Sequence, residues 1–359
     1  MSRESSSRSR YGSASDQSLL TRPFEFIRRS LRRSNSKALG ASLRAFDRVA
    51  SLTRPKHLPT FARVIISVCQ PIDPLRWRRL LPPIDLVVPF VEKDLRSLHL
   101  VIGSAVLNVR NPLARIILIT PQNQEGTGPR FREEDSQKRL EEVLADYPLA
   151  EIRFDQDVLG AQILDELEVR FGLGDRNAGW VNQQLIKLSA AAASTEQASL
   201  ILDADTVLLS RKVWLTGGGR QLLQVANEYH REFMTHVYRY FGVPKILRMS
   251  YVTHHQLMQT DVVRSMFPSG AVSLIDWWKS SSDPIGRDLG DYEAYGSYLV
   301  HHFPKRVSFG SFSNLFSPHL ETFLQDLAST SKSPSELIPD YCSVSFHSWA
   351  QADRAVRGD

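Results

Sequence analysis

The chain has 359 residues, of which 42% are hydrophobic and 23% are charged, and its formal net charge at pH 7 is +5. This composition is typical of a soluble globular protein with enough chain for a large core. It excludes a disulfide framework, because there are only two cysteines, and the longest apolar stretches fall short of the ~20 residues that a membrane-spanning helix needs.

The positive charge is concentrated at the N-terminus. Residues 1–57 contain 13 Lys and Arg but 4 Asp and Glu, a net charge of +9, whereas residues 58–359 have a net charge of −4. We therefore divide the chain into a basic arm (1–57) and a body (58–359). The body has no basic footprint of the kind that binds nucleic acids, so we expect no nucleic-acid partner.

The basic arm begins with about 20 residues rich in Ser and Arg, which are expected to be disordered. Between residues 22 and 50, Phe24, Ile27 and Leu31 recur at helical spacing among arginines. This pattern favours an amphipathic helix on an anionic membrane surface. The alternatives are a flexible basic tail or a helix that packs on the body. Because the arm has no signal-peptide core, we expect a cytoplasmic protein, with attachment to the inner face of the cell membrane as a hypothesis.

Strand and helix signals alternate along the body. Asp85–Val91 is an apolar run that predicts a buried strand, a helix to about Val109 follows, and Ile116–Thr120 predicts a second strand. Such a unit implies parallel strands joined by a right-handed crossover. The alternation continues, so the sequence predicts an α/β fold with a mixed, mostly parallel sheet flanked by helices.

An acidic pair, Asp203 and Asp205, stands between two apolar runs, Leu200–Leu202 and Val207–Leu209. Burying unpaired carboxylates is costly, so we expect the pair to lie where a strand leaves the sheet. There it is either solvated or neutralised by a cation. Carboxylate oxygens suit hard ions such as Mg²⁺ or Mn²⁺, and such an ion could hold a diphosphate at the carboxyl edge of the sheet. A second Asp-x-Asp, at 155–157, does not stand between two apolar runs.

Several segments of the body together resemble nucleotide-sugar-dependent glycosyltransferases of GT-A fold, which are Rossmann-like. More narrowly, they resemble a bacterial family of uncharacterised, glycosyltransferase-like proteins. The resemblance extends from Ile84 to Trp349. The matching segments are Asp85–Leu95, Trp180–Leu188, Leu202–Val207, Asn227–His230, Thr253–Met258, Asp291–Gly296 and Phe346–Trp349.

The resemblance implies a metal site. In GT-A enzymes the acidic pair binds a divalent ion that bridges the nucleotide diphosphate, and this role maps to Asp203 and Asp205. In several GT-A families a C-terminal histidine completes the metal shell, for which His347 is the candidate. The expected cofactor is therefore Mn²⁺ or Mg²⁺. The alternative for His347 is a packing contact beside Trp349.

The resemblance also implies a donor site. The end of the first strand, Pro89, Phe90 and Val91, would contact the base or ribose, and Ala204 would lie against the donor. A helix from Trp180 to Ala193 would add side chains from one of its sides. These are Trp180, Gln183, Gln184 and Lys187, with Lys187 as a candidate phosphate ligand. The alternative for Gln183, Gln184 and Lys187 is a solvated helix face.

Two candidates for the proton-accepting base lie in the first turn of a helix predicted over Gly290–His302. Glu293 is the first candidate and Asp291 the second. The alternative is compensation of the helix dipole. His254 and His255, in a strand predicted over Ser250–Met258, would line the acceptor pocket. On a strand they would point to opposite faces, so only one of them would face the site.

These features predict a metal-dependent, hexosyltransferase-like enzyme that moves a sugar from a nucleotide-sugar to a hydroxyl acceptor. The acceptor would be a cell-envelope glycan, a lipid-linked glycan or a small metabolite. One alternative is a nucleotidyltransferase, but such enzymes usually have a Gly-rich basic loop after the first strand, and Phe90–Asp94 is not Gly-rich. The other alternative is a non-catalytic sugar-binding or nucleotide-binding scaffold.

Overall fold

The computed structural model describes residues 81–346, except for gaps at 124–125, 127, 172–175, 227, 246–248, 285, 318–319, 330–337 and 339. The basic arm, its predicted amphipathic helix and the boundary at residue 57 lie outside the described residues. The predicted metal ligand His347 also lies outside them.

The described residues form alternating strands and helices. The strands are β1 (Ile84–Pro89), β2 (Leu113–Thr120), β3 (Ala150–Phe154), β4 (Ala198–Leu202), β5 (Thr206–Leu208), β6 (Gln221–Val225), β7 (His255–Gln259), β8 (Val307–Ser311), β9 (Asn314–Phe316) and β10 (Ser343–Ser345). The helices are α1 (Leu95–Asn108), α2 (Glu134–Asp146), α3 (Asp155–Leu159), α4 (Ala161–Phe171), α5 (Arg176–Ala193), α6 (Arg231–Phe241), α7 (Thr260–Met266), α8 (Ala271–Lys279), α9 (Asp291–His302) and α10 (Leu320–Ser329).

The central sheet has the strand order β3-β2-β1-β4-β7. The first four strands are parallel to one another, and β7 is antiparallel to β4. Helices connect the parallel strands, as a crossover between parallel neighbours requires. The sequence-based expectation of an α/β fold with a mixed, mostly parallel sheet flanked by helices is confirmed.

Both faces of β1 are buried, which explains its continuous apolar sequence. Leu86 belongs to the same core cluster as Leu98 and Ile102 of α1. Val87 belongs to the core on the other face, with Leu185 of α5. Full burial of each such side chain contributes roughly 1.5–3 kcal/mol. The two layers therefore fix β1, and with it the loop that follows β1, between α1 and α5.

The last described strand, β10, lies beside β5, the strand that follows the acidic pair. β10 pairs antiparallel with β5 and parallel with β9. Just beyond β10, the backbone N–H of Phe346 donates to the carbonyl of Asp205 at 2.9 Å. The C-terminal part of the body is thereby attached to the acidic pair, 141 residues away along the chain.

The strand predicted over Ser250–Met258 was wrong in its first half. The strand begins at His255, because His254 has a φ of +56°. That left-handed backbone is incompatible with an extended strand and is uncommon for a residue other than glycine. The carbonyl of His254 instead accepts a 2.9 Å hydrogen bond from the N–H of Asp203.

None of the helices in the described residues is both long enough and apolar enough to cross a lipid bilayer.

The close approach of α9 to the core depends on Gly296. A Cβ at this position would lie 2.5 Å from Cγ and 2.7 Å from Cβ of Tyr251, which is itself buried. We expect Gly296→Ala to lower the free energy of unfolding by about 1–3 kcal/mol, because the core has no room for the methyl group. Urea denaturation measures this change.

Gly179 provides the matched control, since it is also helical but has no atom within 4 Å of a built Cβ. We expect Gly179→Ala to raise the free energy of unfolding by up to about 1 kcal/mol. Equal stability of the two variants would contradict the packing of α9 against Tyr251.

Candidate functional site

The acidic pair lies at a topological switch point of the central sheet. β1 has β2 on one side and β4 on the other, so the chain leaves the ends of β1 and β4 in opposite directions. Asp203–Asp205, here called the acidic turn, follows β4 directly, and the loop Phe90–Asp94 follows β1. In open α/β sheets, ligands bind in the crevice outside the carboxyl ends of the strands at such a point.

The acidic turn is fixed by contacts with distant parts of the chain. The hydroxyl of Ser97, on α1, donates to the carbonyl of Ala204 at 2.9 Å. The carbonyl of Asp205 accepts from the N–H of Phe346, and the hydroxyl of Thr206 lies 3.3 Å from Oδ1 of Asp205. The backbone of the turn is therefore held in place before any ligand binds.

Asp203 is surrounded by donors. Its Oδ1 lies 2.7 Å from Nζ of Lys187 and accepts a 2.9 Å hydrogen bond from the hydroxyl of Tyr292, and its Oδ2 lies 3.5 Å from Nδ1 of His254. Burial alone would raise the pKa of Asp203, but Lys187 and His254 hold this pKa well below its usual value. Asp203 is therefore an ionised carboxylate in contact with two cations.

Lys187 is a buried cation between two carboxylates. It is 2% exposed, and its Nζ lies 3.6 Å from Oδ2 of Asp291 in addition to its contact with Asp203. Burial would lower the pKa of Lys187, but the charges of Asp203 and Asp291 raise it above its usual value. The alternative of a solvated helix face is therefore wrong for Lys187.

Asp291 is buried at the first turn of α9, and its backbone N–H donates to Oε1 of Gln184 at 3.1 Å. Burial raises the pKa of Asp291 to about 6, although the charge of Lys187 opposes this shift. Its Oδ2 has no hydrogen-bond partner among the described residues. Gln184 is 2% exposed, so it connects α5 to α9 and does not lie on a solvated face.

His254 links the acidic turn to a second carboxylate. Its Nε2 lies 3.2 Å from Oε1 of Glu228, whose Oε2 lies 3.8 Å from Nε2 of His230. Burial would lower the pKa of His254, but hydrogen bonds to Asp203 and Glu228 raise it to about 9. Burial would raise the pKa of Glu228, but His230 and His254 lower it to about 2. At neutral pH His254 is thus an imidazolium between two carboxylates.

His255 does not line a solvent-open pocket. It is 0% exposed, its Nε2 lies 2.7 Å from Oε1 of Gln224, and its ring packs edge-on against Trp214 and Phe312. Burial lowers the pKa of His255 to about 3, so it is neutral. Of the two predicted acceptor-pocket histidines, His254 is the one that contacts the acidic turn.

Glu293 is 1% exposed, and its carboxylate is occupied by groups of the chain. Its Oε1 pairs with Nζ of Lys245 and accepts a 2.8 Å hydrogen bond from the hydroxyl of Ser297. Its Oε2 accepts a 2.9 Å hydrogen bond from the N–H of Tyr251. These contacts favour a structural role for Glu293 over the predicted role of catalytic base.

The residues at the end of β1 differ in their exposure. Pro89 and Phe90 are buried, whereas Val91 is 41% exposed. On α5, which packs against β1 and β4, Trp180 is 42% exposed and Gln183 is half-buried. The side chains of Val91 and Trp180 are thus accessible to a ligand, whereas those of Pro89 and Phe90 are not.

Three residues near the acidic turn were missed at the sequence level. Tyr292 and Glu228 contact Asp203 and His254, respectively. Asp94 accepts a 3.0 Å hydrogen bond from the N–H of Val91. Burial raises the pKa of Asp94 to about 6, and the charges of the two aspartates of the acidic turn add to this shift. The only signal in the sequence that pointed to these residues was their position, because each lies in a segment that resembles the glycosyltransferase-like family.

The second Asp-x-Asp is structurally different. Asp155 is 8% exposed and accepts hydrogen bonds from the backbone N–H groups of Gln122 and Gln156 at 3.2 and 3.0 Å. Asp157 lies exposed on α3. Asp155 therefore holds loop backbone in place, whereas Asp157 faces solvent.

The described residues do not by themselves form a complete metal site. Both oxygens of Asp203 already face donors of the chain. Among the residues that the structure describes, no group of three or more His, Cys, Asp and Glu side chains is arranged to hold a metal ion. The predicted third ligand, His347, is not among those residues.

The fold and this site define an α/β protein with a cluster of paired charges at the carboxyl edge of a mostly parallel sheet. No protein family and no curated protein matches the chain in sequence. Among solved structures, mouse xyloside xylosyltransferase 1 is 12% identical with a TM-score of 0.39, and the match covers 73% of this chain and 97% of that one.

Two further solved structures are similar to this chain at low sequence identity. The galactosyltransferase LgtC, in complex with donor and acceptor sugar analogues, is 12% identical with a TM-score of 0.39, covering 76% of this chain and 93% of that one. The mannosyltransferase Ktr4p from S. cerevisiae is 8% identical with a TM-score of 0.47, covering 72% and 79%. At TM-scores below 0.5, none of these similarities assigns a function to this chain.

Proposed function

We propose that this protein is a glycosyltransferase of GT-A type that transfers a sugar from a nucleotide-sugar to a hydroxyl acceptor. The observation that supports this most directly is the acidic turn, which lies at the switch point between β1 and β4 and is held by two buried cations. Buried, mutually coupled charges cost stability and concentrate at functional sites. A nucleotide diphosphate is a ligand that suits the crevice at this edge of an α/β sheet.

The residues around the acidic turn divide into those that would touch the donor and those that would orient it. Val91 and Trp180 are exposed enough to contact the base or ribose. Lys187 and His254 would act through Asp203, because both lie against its carboxylate. Asp291 would act through Lys187, because its buried Oδ2 lies 3.6 Å from Nζ of Lys187. Pre-organised charges of this kind cost no reorganisation when the reaction occurs.

A divalent ion, Mn²⁺ or Mg²⁺, is a further part of the proposal. Asp205 and His347 would be its ligands, and Asp203 would hold the acidic turn through its own contacts with the chain. When bound, the ion would offset the charge that develops on the departing nucleoside diphosphate. His347 is a reasonable candidate because it follows Phe346, whose backbone N–H is bonded to Asp205.

Thermal unfolding of the full chain with a panel of nucleotide-sugars, with and without Mn²⁺, tests this function. We expect one donor to stabilise the wild-type protein, by about 2.7 kcal/mol at a concentration 100 times its Kd. Asp205→Asn should abolish this stabilisation. The control is Asp157→Asn, the same substitution at the exposed residue of the second Asp-x-Asp, which should retain it. A wild-type protein that no donor stabilises, or equal loss in both variants, would contradict the proposal.

A further inference from the structure

The loop before α6 brings a carboxylate, Glu228, to His254, which also contacts the acidic turn. His254 directly precedes β7, and β7 and β1 lie on opposite sides of β4. Glu228 contacts Nε2 of His254, whereas Asp203 contacts Nδ1 of the same ring, and the side chain of Glu228 is 25% exposed. If the donor occupies the crevice between β1 and β4, Glu228 lies next to His254 on the β7 side of β4, where a second substrate would have to approach.

The backbone of His254 has an unfavourable conformation, in which the imidazole ring contacts the carboxylates of both Asp203 and Glu228. Its φ of +56° is uncommon for a residue other than glycine. Residues keep such a backbone conformation only where many surrounding contacts hold it, often at functional sites. The hydrogen bond from Asp203 N–H to the carbonyl of His254 fixes this backbone. The position of Glu228 is thereby coupled to that of the acidic turn through a single imidazole ring.

Aromatic side chains lie next to the residues that flank or contact this carboxylate. Phe316 is 45% exposed, and its ring lies edge-on to the ring of His254 at 5.6 Å between centroids. Tyr229, next to Glu228 in the chain, is 52% exposed. The ring of His230 packs on Phe233 at 4.7 Å. Exposed rings beside a carboxylate suit a sugar, whose C–H face packs on aromatic surfaces and whose hydroxyls donate to carboxylates.

We propose that Glu228, Tyr229 and Phe316 form the acceptor subsite and that the acceptor is a carbohydrate hydroxyl. Glu228 binds and orients this hydroxyl, Tyr229 and Phe316 contact the sugar ring, and His254 positions Glu228 relative to the acidic turn. This inference rests on the proposed glycosyltransferase function, since it names the class of the second substrate. It replaces the buried Glu293 with Glu228 as the carboxylate that faces the acceptor.

Saturation-transfer NMR on the full chain with a panel of methyl glycosides, in the presence of the nucleoside diphosphate of the stabilising donor, tests the subsite. We expect at least one glycoside to bind the wild-type protein, and Glu228→Gln to weaken this binding by about 10- to 100-fold, the effect of losing a hydrogen bond to a charged group. Glu232→Gln, at an exposed position four residues along the chain, is the control and should bind as the wild type does.

Tyr229→Ala gives a second measurement that leaves the ion pairs intact, and it should also weaken glycoside binding. In all three variants the thermal stabilisation by the donor should be unchanged. Glycoside binding that is unaffected by Glu228→Gln and Tyr229→Ala would overturn the subsite, as would loss of donor binding in Glu228→Gln. Donor binding by the wild type without binding of any glycoside would overturn the carbohydrate acceptor alone. Failure of every donor would instead overturn the proposed function.

Discussion

Replacing Glu293 with glutamine is expected to lower the free energy of unfolding at neutral pH by about 3–5 kcal/mol, because it leaves the buried ammonium of Lys245 without its counter-ion. Burial already lowers the pKa of Lys245, and the charge of Glu293 opposes this effect. Without Glu293 the pKa of Lys245 should fall further below its unfolded value. The folded variant then binds fewer protons than the unfolded chain, so its stability should rise with pH. Urea denaturation at several pH values measures both effects.

Two controls separate a structural from a catalytic role. The double variant Lys245→Met, Glu293→Leu removes both charges and should lose less stability than Glu293→Gln alone. Glu166→Gln breaks the 2.7 Å pair with Lys279 on the surface, where both side chains are more than a third exposed, and should cost less than about 1 kcal/mol. If Glu293→Gln were as stable as the wild type but inactive, Glu293 would be the catalytic base after all.

Lys187→Met is expected to lower the free energy of unfolding at pH 8 by about 3–5 kcal/mol, because Asp203 and Asp291 would share a buried site without their main cation. The pKa of Asp291 is already raised to about 6 by burial, against the opposing charge of Lys187. In the variant, the pKa of Asp291 should lie further above its unfolded value, because the charge of Lys187 no longer opposes the effect of burial. The folded variant then binds more protons than the unfolded chain, so its stability should increase as the pH falls.

The loss should therefore be smaller at pH 5 than at pH 8, and urea denaturation of both proteins at the two pH values measures it. Lys279→Met provides the control, because it removes a lysine that is 46% exposed and paired on the surface, and it should change stability by less than about 1 kcal/mol. A Lys187→Met variant with unchanged stability that merely binds the donor more weakly would show that Lys187 is a phosphate ligand, as the sequence suggested.

The candidate site was only partly predictable. Asp203 was singled out because carboxylates rarely interrupt a buried apolar run, and the structure places it at the end of β4. Lys187 was predicted on a polar side of the helix that precedes β4, but its partners could not be read from the sequence. Glu228 lies in a segment that resembles the glycosyltransferase-like family, but nothing else in its local pattern distinguishes it from other polar loop residues, so it was missed. His254 was placed in a strand, because a positive φ at a residue other than glycine has no signature in the sequence.

The sequence by itself determined the class of fold and the first strands and helices of the central sheet. Continuous or alternating apolar residues indicate a strand, and apolar residues that recur about every 3.6 positions indicate a helix. Both patterns involve residues that are close in the sequence. β1, α1 and β4 can therefore be recognised from the local sequence alone. Only the tertiary structure decided which charges meet. Tyr292 reaches Asp203 across 89 residues of chain, and Ser97 reaches Ala204 across 107. The free energy of a buried charge depends on such distant partners. Only the tertiary structure therefore shows that Glu293 belongs to a buried ion pair and that Glu228 lies beside the acidic turn.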